Sequence, residues 1–301
     1  MIKTNENTKD LLKGLFYAVL MMLIFASLIF LVMGKSLNGG GAERMAYKNV
    51  AGKELALWVY KPKGGKQGDQ RPCVLWFFGG GWKVGSSEQF AAQSKVLAQR
   101  GIVSICAEYR IESQHGSDPF DSVMDARSAM RWVKLHSTEL GIDAERIAAA
   151  GGSSGGHLAL ACALFDDIND KAAKADATEI SARPAALILF NPVVNMDIPM
   201  IRDHTTDEQL QELLKISPFH RIESALPPSI IFQGGQDTIV PIKSVSAFVK
   251  KARGMDAAAK SISYITYPGR GHEFYYGPGS RKDYWETLGR ITLFLEELGW
   301  L

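Results

Sequence analysis

Short apolar runs rich in β-branched and aromatic residues recur along the chain and alternate with stretches whose apolar positions fall at helical spacing. Runs of the first kind occupy residues 55–60, 73–78, 102–107, 146–150, 186–190, 229–233 and 262–267, each of strand length. The run CVLWFF at 73–78 is apolar throughout, as in a strand covered on both faces. Helical spacing spans 89–100, stopped by Gly101, and 121–140, stopped by Gly141. Further helices begin near Ser154 and Ile242, and a last one covers 283–298. This alternation predicts an α/β architecture with a mostly parallel central sheet and helices on both faces. Residues 195–222 interrupt it with polar, weakly periodic sequence, and we read them as an insertion over the C-terminal edge of the sheet, where substrate lids form.

The pattern differs before residue 44. Residues 14–33, GLFYAVLMMLIFASLIFLVM, carry no charge, and at ~1.5 Å rise per residue they just cross a hydrocarbon core ~30 Å thick. Lys3, Lys9 and Lys13 outweigh Glu6 and Asp10, which puts the N-terminus in the cytoplasm and the remainder on the extracytoplasmic side of the membrane. The expected reading of 1–33 is a transmembrane anchor. A cleaved signal, with a weak site at Gly40-Gly41-Ala42 and a secreted or periplasmic product, is the alternative. Residues 34–43, GKSLNGGGAE, then form a flexible linker to a single domain at 44–301.

Composition agrees with one large core: 301 residues, 46% hydrophobic and 22% charged. The net charge of +2 is spread along the chain without a basic stripe, so nucleic acid is not an expected partner. Cys73, Cys106 and Cys162 each sit in an apolar element and read as buried hydrophobes rather than a disulfide framework. No H-x-x-x-H or Cys/His cluster with ligand spacing appears, so no metal and no cofactor is expected.

The candidate chemistry sits at strand ends. RIAAA runs into GGSSGG and then a helix, which is G-x-S-x-G at a strand-to-helix turn, the setting of a nucleophilic serine. Two registers match, one centred on Ser153 and one on Ser154. The first leaves Gly155 and Gly156 together in the first helical turn, and we take Ser153 as the nucleophile, against the plain alternative of a serine that caps a helix. After the strand CVLWFF comes Gly79-Gly80-Gly81-Trp82, whose amides suit an oxyanion hole, with Gly80, Gly81 and Ser154 as donors. Trp82 either lines the substrate pocket or anchors the loop by packing. Asp237 follows the strand at 229–233 and His272 the strand at 262–267, completing the order Ser, Asp, His. Taken alone, Asp237 would also serve as a cap for the helix near Ile242. His115, His136, His157, His204 and His220 lie in less suitable contexts.

These motifs resemble those of bacterial carboxylesterases of the α/β-hydrolase fold, related to hormone-sensitive-lipase-like hydrolases and to bifunctional carbohydrate acetyl and feruloyl esterases. The resemblance rests on FFGGGW, EYRI at 108–111, DARSAMRWV at 125–133, LGID at 140–143, GGSSGGHLA at 151–159, GGQDTIVP and GRGHEF, and covers most of 50–301. Two positions depart from the family wording: Phe78 stands for a common histidine and Ser154 for a common alanine. The family's first serine is the nucleophile, which again selects Ser153. The resemblance implies a serine carboxylesterase acting on small acyl esters, acetyl above all, of carbohydrate. The rivals are a lipid or short-chain aryl-ester hydrolase, and a hydrolase-fold binding protein without catalysis.

Overall fold

The computed structural model describes residues 41–170, 177–255, 261–275 and 281–301. Eight strands, β1 (Glu43–Val50), β2 (Lys53–Tyr60), β3 (Arg71–Phe77), β4 (Val103–Ala107), β5 (Ile142–Gly152), β6 (Ala186–Phe190), β7 (Ser229–Gly234) and β8 (Ile262–Tyr267), form one sheet in the order β1-β2-β4-β3-β5-β6-β7-β8. The longer helices are α1 (Ala91–Gln99), α2 (Pro119–Leu135), α3 (Ser154–Leu164), α4 (Asp207–Leu214), α5 (Ile242–Gly254) and α6 (Arg281–Glu297).

The expectation of a mostly parallel sheet needs correction, because the sheet is mixed. β2 pairs antiparallel with both β1 and β4, while β4-β3-β5-β6-β7-β8 run parallel. The cause is local. Ala51 and Gly52, at φ 50° and 84°, make a two-residue turn of the kind that joins only antiparallel strands. β1 itself was not expected from the apolar pattern, since of ERMAYKNV only Tyr47 and Lys48 are buried.

Alternation along the strands divides the core. Leu75 and Phe77 of β3 pack with Val123, Leu158, Leu189 and Phe248, so α2, α3 and α5 cover one face. Val74 and Trp76 pack with Leu97, Phe232, Ile291 and Leu295, so α1 and α6 cover the other. The helix expected over 121–140 begins at Pro119, where Asp118 and Asp121 make a reciprocal capping box, and breaks at His136 before a single turn at Ser137–Leu140. A buried ion cluster ties β1 and the segment after β4 to α2. Asp125, fully buried, accepts from Lys48 Nζ at 2.7 Å and from Arg110 Nε and Nη2 at 2.7 and 2.8 Å. The three cysteines are buried free thiols.

The membrane reading is also corrected. The expected helix at 14–33 lies outside the described residues, as does the linker apart from residues 41–43. Among the described residues no helix is long and apolar enough to cross a membrane. The longest, α2 and α6, have 17 residues each, and both carry charges along their length. The anchor or signal, the membrane partner and the extracytoplasmic placement that depended on it are therefore not retained.

Candidate active site

Every candidate residue follows the C-terminal end of a parallel strand, where ligands of open α/β sheets bind. β5 passes into α3 through Ser153, which takes φ 55° and ψ −121°, a strained backbone for a residue with a Cβ. The glycines two residues to either side leave no room for a side chain: a Cβ on Gly151 would meet the Gly155 carbonyl, and one on Gly155 would meet those of Phe77 and Phe78. Gly152 and Gly156, which flank Ser154, are confined too, by the Tyr275 hydroxyl and by Pro192, so the two registers differ in backbone and burial: Ser153 makes the strained turn and Ser154 begins α3. The Ser153 amide donates to the Phe190 carbonyl at 2.9 Å, which fixes the turn to the end of β6. Ser154, by contrast, is fully buried, and its Oγ accepts the Gly81 N–H at 3.0 Å.

Asp237 and His272 are brought together. His272 Nδ1 lies 2.7 Å from Asp237 Oδ2, with the Asp237 side chain wholly buried and the imidazole 15% exposed. Asp237 Oδ1 accepts the Ile239 and Val240 amides at 2.9 Å each, and Gln233 Nε2 lies 3.3 Å from Oδ2. The cap position of α5 belongs to Pro241, so Asp237 does not serve as its cap. The His272 loop hangs from β6 as well. Asn191, buried at φ 40°, donates through Nδ2 to the His272 carbonyl and accepts the Gly234 N–H through Oδ1 at 2.8 Å. Phe190 and Asn191 thus hold the serine turn and the histidine loop from adjacent positions. Sequence reasoning missed Asn191; its signal is an Asn-Pro pair immediately after a fully apolar strand.

The glycine loop lies against the turn. A Cβ on Gly79 would sit 3.2 Å from Ser153 Cβ, and the Gly79 amide donates to Gln89 Oε1 at 2.7 Å. Gly80, at φ 132°, would drive any side chain into the Val84 carbonyl. Trp82, at φ 60° and 5% exposed, meets His157 edge to face at 5.3 Å. Its indole N–H and His157 Nδ1 both lack a hydrogen-bond partner among the described residues. His157 Nε2 lies 2.6 Å from the Ile216 carbonyl and therefore carries the proton. Burial lowers the His157 pKa to about 4, which keeps the ring neutral. Trp82 is a packing anchor that also lines a cavity of about 620 Å³, together with Gly81, Lys83, residues 117–120 and Met200, Ile201, His204 and Leu213 of the insertion. Among the described residues no cluster of His, Cys, Asp or Glu is arranged to hold a metal.

Comparison with known proteins decides the family, because the BD-FAE family profile matches residues 57–252, well over half of the chain. The chain belongs to the BD-FAE family. It is an α/β-hydrolase of the carboxylesterase superfamily, with the machinery of a serine hydrolase. Within that superfamily it is similar to Esterase LipC of Mycobacterium tuberculosis, at 26% identity over 85% of this chain and 64% of LipC. It also matches part of Endo-1,4-beta-xylanase B of Butyrivibrio fibrisolvens, at 25% identity over 61% of this chain and 30% of the xylanase. The chain thus spans less than two thirds of these curated relatives. A solved structure of matching size is that of esterase 2 of Thermogutta terrifontis with propionate bound, with a TM-score of 0.80 and 38% identity over 88% of this chain and 97% of that one. The same Thermogutta esterase has been solved bound to butyrate and phosphorylated by paraoxon.

Proposed function

We propose that this chain hydrolyses carboxylic esters of short acyl groups through an acyl-Ser153 intermediate, with Asp237 and His272 completing the triad. The observation that carries the reading is the 2.7 Å approach of His272 Nδ1 to Asp237 Oδ2, on a loop held by the strand end that also holds the Ser153 amide. A proton kept on Nδ1 by the carboxylate leaves Nε2 free to take the Ser153 proton as Oγ attacks the ester carbonyl. The imidazolium then protonates the departing alcohol, and water repeats the sequence on the acyl-enzyme. Negative charge on the carbonyl oxygen meets the amides of Gly80 and Ser154 at the N-terminus of α3; such donors typically contribute ~3–4 kcal/mol to transition-state stabilisation.

The propionate- and butyrate-bound structures of the Thermogutta esterase support a short acyl group here. The cavity of about 620 Å³ beside Trp82 is far roomier than such an acyl group needs, and it suits the leaving-group side of a larger ester. Residues 44–301 then form the catalytic domain, with 195–222 as a lid-like wall of that recess. A carbohydrate acetate is the finer reading, favoured by the match to part of a xylanase.

The test is hydrolysis of p-nitrophenyl acetate, butyrate and octanoate by the full chain, beside acetate release from acetylated xylan, with Ser153→Ala as control. Turnover that falls with acyl length and vanishes in Ser153→Ala is the expected result. Xylan deacetylation would add the glycan assignment, and activity on the synthetic esters alone would remove it. Activity that survives Ser153→Ala would overturn the triad.

A further inference from the structure

The two departures from the family wording, Phe78 and Ser154, each take part in a bond that ties the glycine loop to a buried hydroxyl. Tyr109 is buried, stacks on Phe78 with ring centroids 4.1 Å apart, and donates its hydroxyl to the Phe78 carbonyl at 2.6 Å. The buried Ser154 oxygen accepts the Gly81 N–H at 3.0 Å. Two hydroxyls thus hold the short loop at both ends, one on the carbonyl of Phe78 and one on the amide of Gly81.

An amide N–H has one hydrogen, and that of Gly81 is aimed at Ser154 rather than at the substrate. Among the described residues the amides of Gly80 and Ser154 donate to no backbone acceptor. We propose that Gly81 is a tie and not an oxyanion donor in this chain: Ser154 and Tyr109 are positioning residues whose hydroxyls hold the glycine loop in place, and the oxyanion hole has two donors, the amides of Gly80 and Ser154. An alanine at 154 has no oxygen to offer Gly81, so the arrangement belongs to chains with a hydroxyl at this position. The inference rests on the serine-esterase reading above.

Two measurements on the full chain test it. In the first, the protein carrying 15N-glycine and 15N-serine is treated with an alkyl fluorophosphonate. Ser153 Oγ bonds to phosphorus, fluoride leaves, the serine proton passes to His272, and the phosphoryl oxygen occupies the oxyanion position. The amide protons of Gly80 and Ser154 are expected to move downfield while that of Gly81 stays in place; a Gly81 proton that moves with them overturns the proposal. In the second, Tyr109→Phe and Ser154→Ala are each expected to lower kcat for p-nitrophenyl acetate about tenfold, the equivalent of one hydrogen bond, with KM within about twofold. The double variant is expected to lose less than the two single losses combined, since both ties hold the same short loop. A rise in kcat for Ser154→Ala would mean that the tie does not help to position the loop, and additive losses would mean two unrelated packing defects; either overturns the proposal. Failure of the fluorophosphonate to label the Ser153 peptide would instead sink the serine-esterase reading and the inference with it.

Discussion

Replacing Asp237 by asparagine exchanges one carboxylate oxygen for an NH2 group and leaves volume and backbone unchanged, so its effect follows from hydrogen-bond directions alone. Oδ1 accepts two amides, from Ile239 and Val240 at 2.9 Å each, whereas Oδ2 faces His272 Nδ1 at 2.7 Å and Gln233 Nε2 at 3.3 Å. An asparagine oxygen turned toward His272 would set the NH2 against two amide donors, forfeiting bonds worth ~1 kcal/mol each and desolvating the groups left behind. The opposite orientation keeps both amide bonds and costs only the long contact with Gln233, so the NH2 points at His272. It then donates to Nδ1, which moves the imidazole proton to Nε2, the atom that must receive the proton of Ser153. Reversing a catalytic histidine tautomer in this way lowers kcat by about 10⁴, or roughly 5 kcal/mol of transition-state stabilisation. The assay is kcat and KM for p-nitrophenyl acetate, with the melting temperature followed in parallel. Since both amide bonds survive, the melting temperature should stay near wild type. A loss of kcat smaller than about tenfold in a protein of unchanged melting temperature would falsify the assignment of Asp237 as the group that orients His272.

Gly155→Ala places a Cβ against the carbonyls of Phe77 and Phe78, and loss of activity by at least about 10³-fold or loss of soluble protein is expected, because a misplaced nucleophile forfeits most of the gain from orientation; near-normal turnover would mean the turn is more pliable than described. Asp125→Asn weakens the bonds from Lys48 and Arg110 but leaves Lys48 paired with Asp170 and Arg110 paired with Asp121, and urea denaturation should register a loss of ~1.5–3 kcal/mol; a loss below about 0.5 kcal/mol would show that the remaining carboxylates neutralise the cluster unaided. His157, held near pKa 4 in the folded chain against an ordinary 6.5, binds its proton more weakly folded than unfolded. It therefore costs no stability above pH 6.5 and progressively more as pH falls from there to about 4, on the order of 3 kcal/mol in all. His157→Gln should flatten that part of the stability–pH curve, and an unchanged slope would assign the acid sensitivity to other groups.

The parallel core and the Ser, Asp, His order were legible because they depend on short-range signals. An apolar run such as CVLWFF suits little other than a strand covered on both faces, and glycine pairs mark turns too tight for side chains. β1 escaped notice because its stability comes from pairing with β2 and from the Lys48–Asp125 bond, neither of which leaves an apolar pattern. The break at His136 and the capping of α2 at Asp118 shift a helix without altering its periodicity. Asn191 and Tyr109 act through atoms more than 30 positions away in sequence, bonding His272 and Phe78, and no local pattern encodes such a partner. The apolar run at 14–33 satisfies a length rule for a membrane span but lies outside the described residues, among which no helix is long and apolar enough to cross a membrane.

Suspending the serine turn from Phe190, the last residue of β6, and the histidine loop from Asn191 beside it has a mechanical consequence. A disturbance that shifts the end of β6, such as a slightly altered side chain at Ile188 or Leu189, carries Ser153 and His272 along together and preserves their spacing. A disturbance in the four residues between Tyr267 and His272 moves His272 alone. Errors in the first class are common to both groups and those in the second are differential, so the centre of the sheet is the tolerant place to redesign this enzyme, and the short stretch before its histidine the intolerant one.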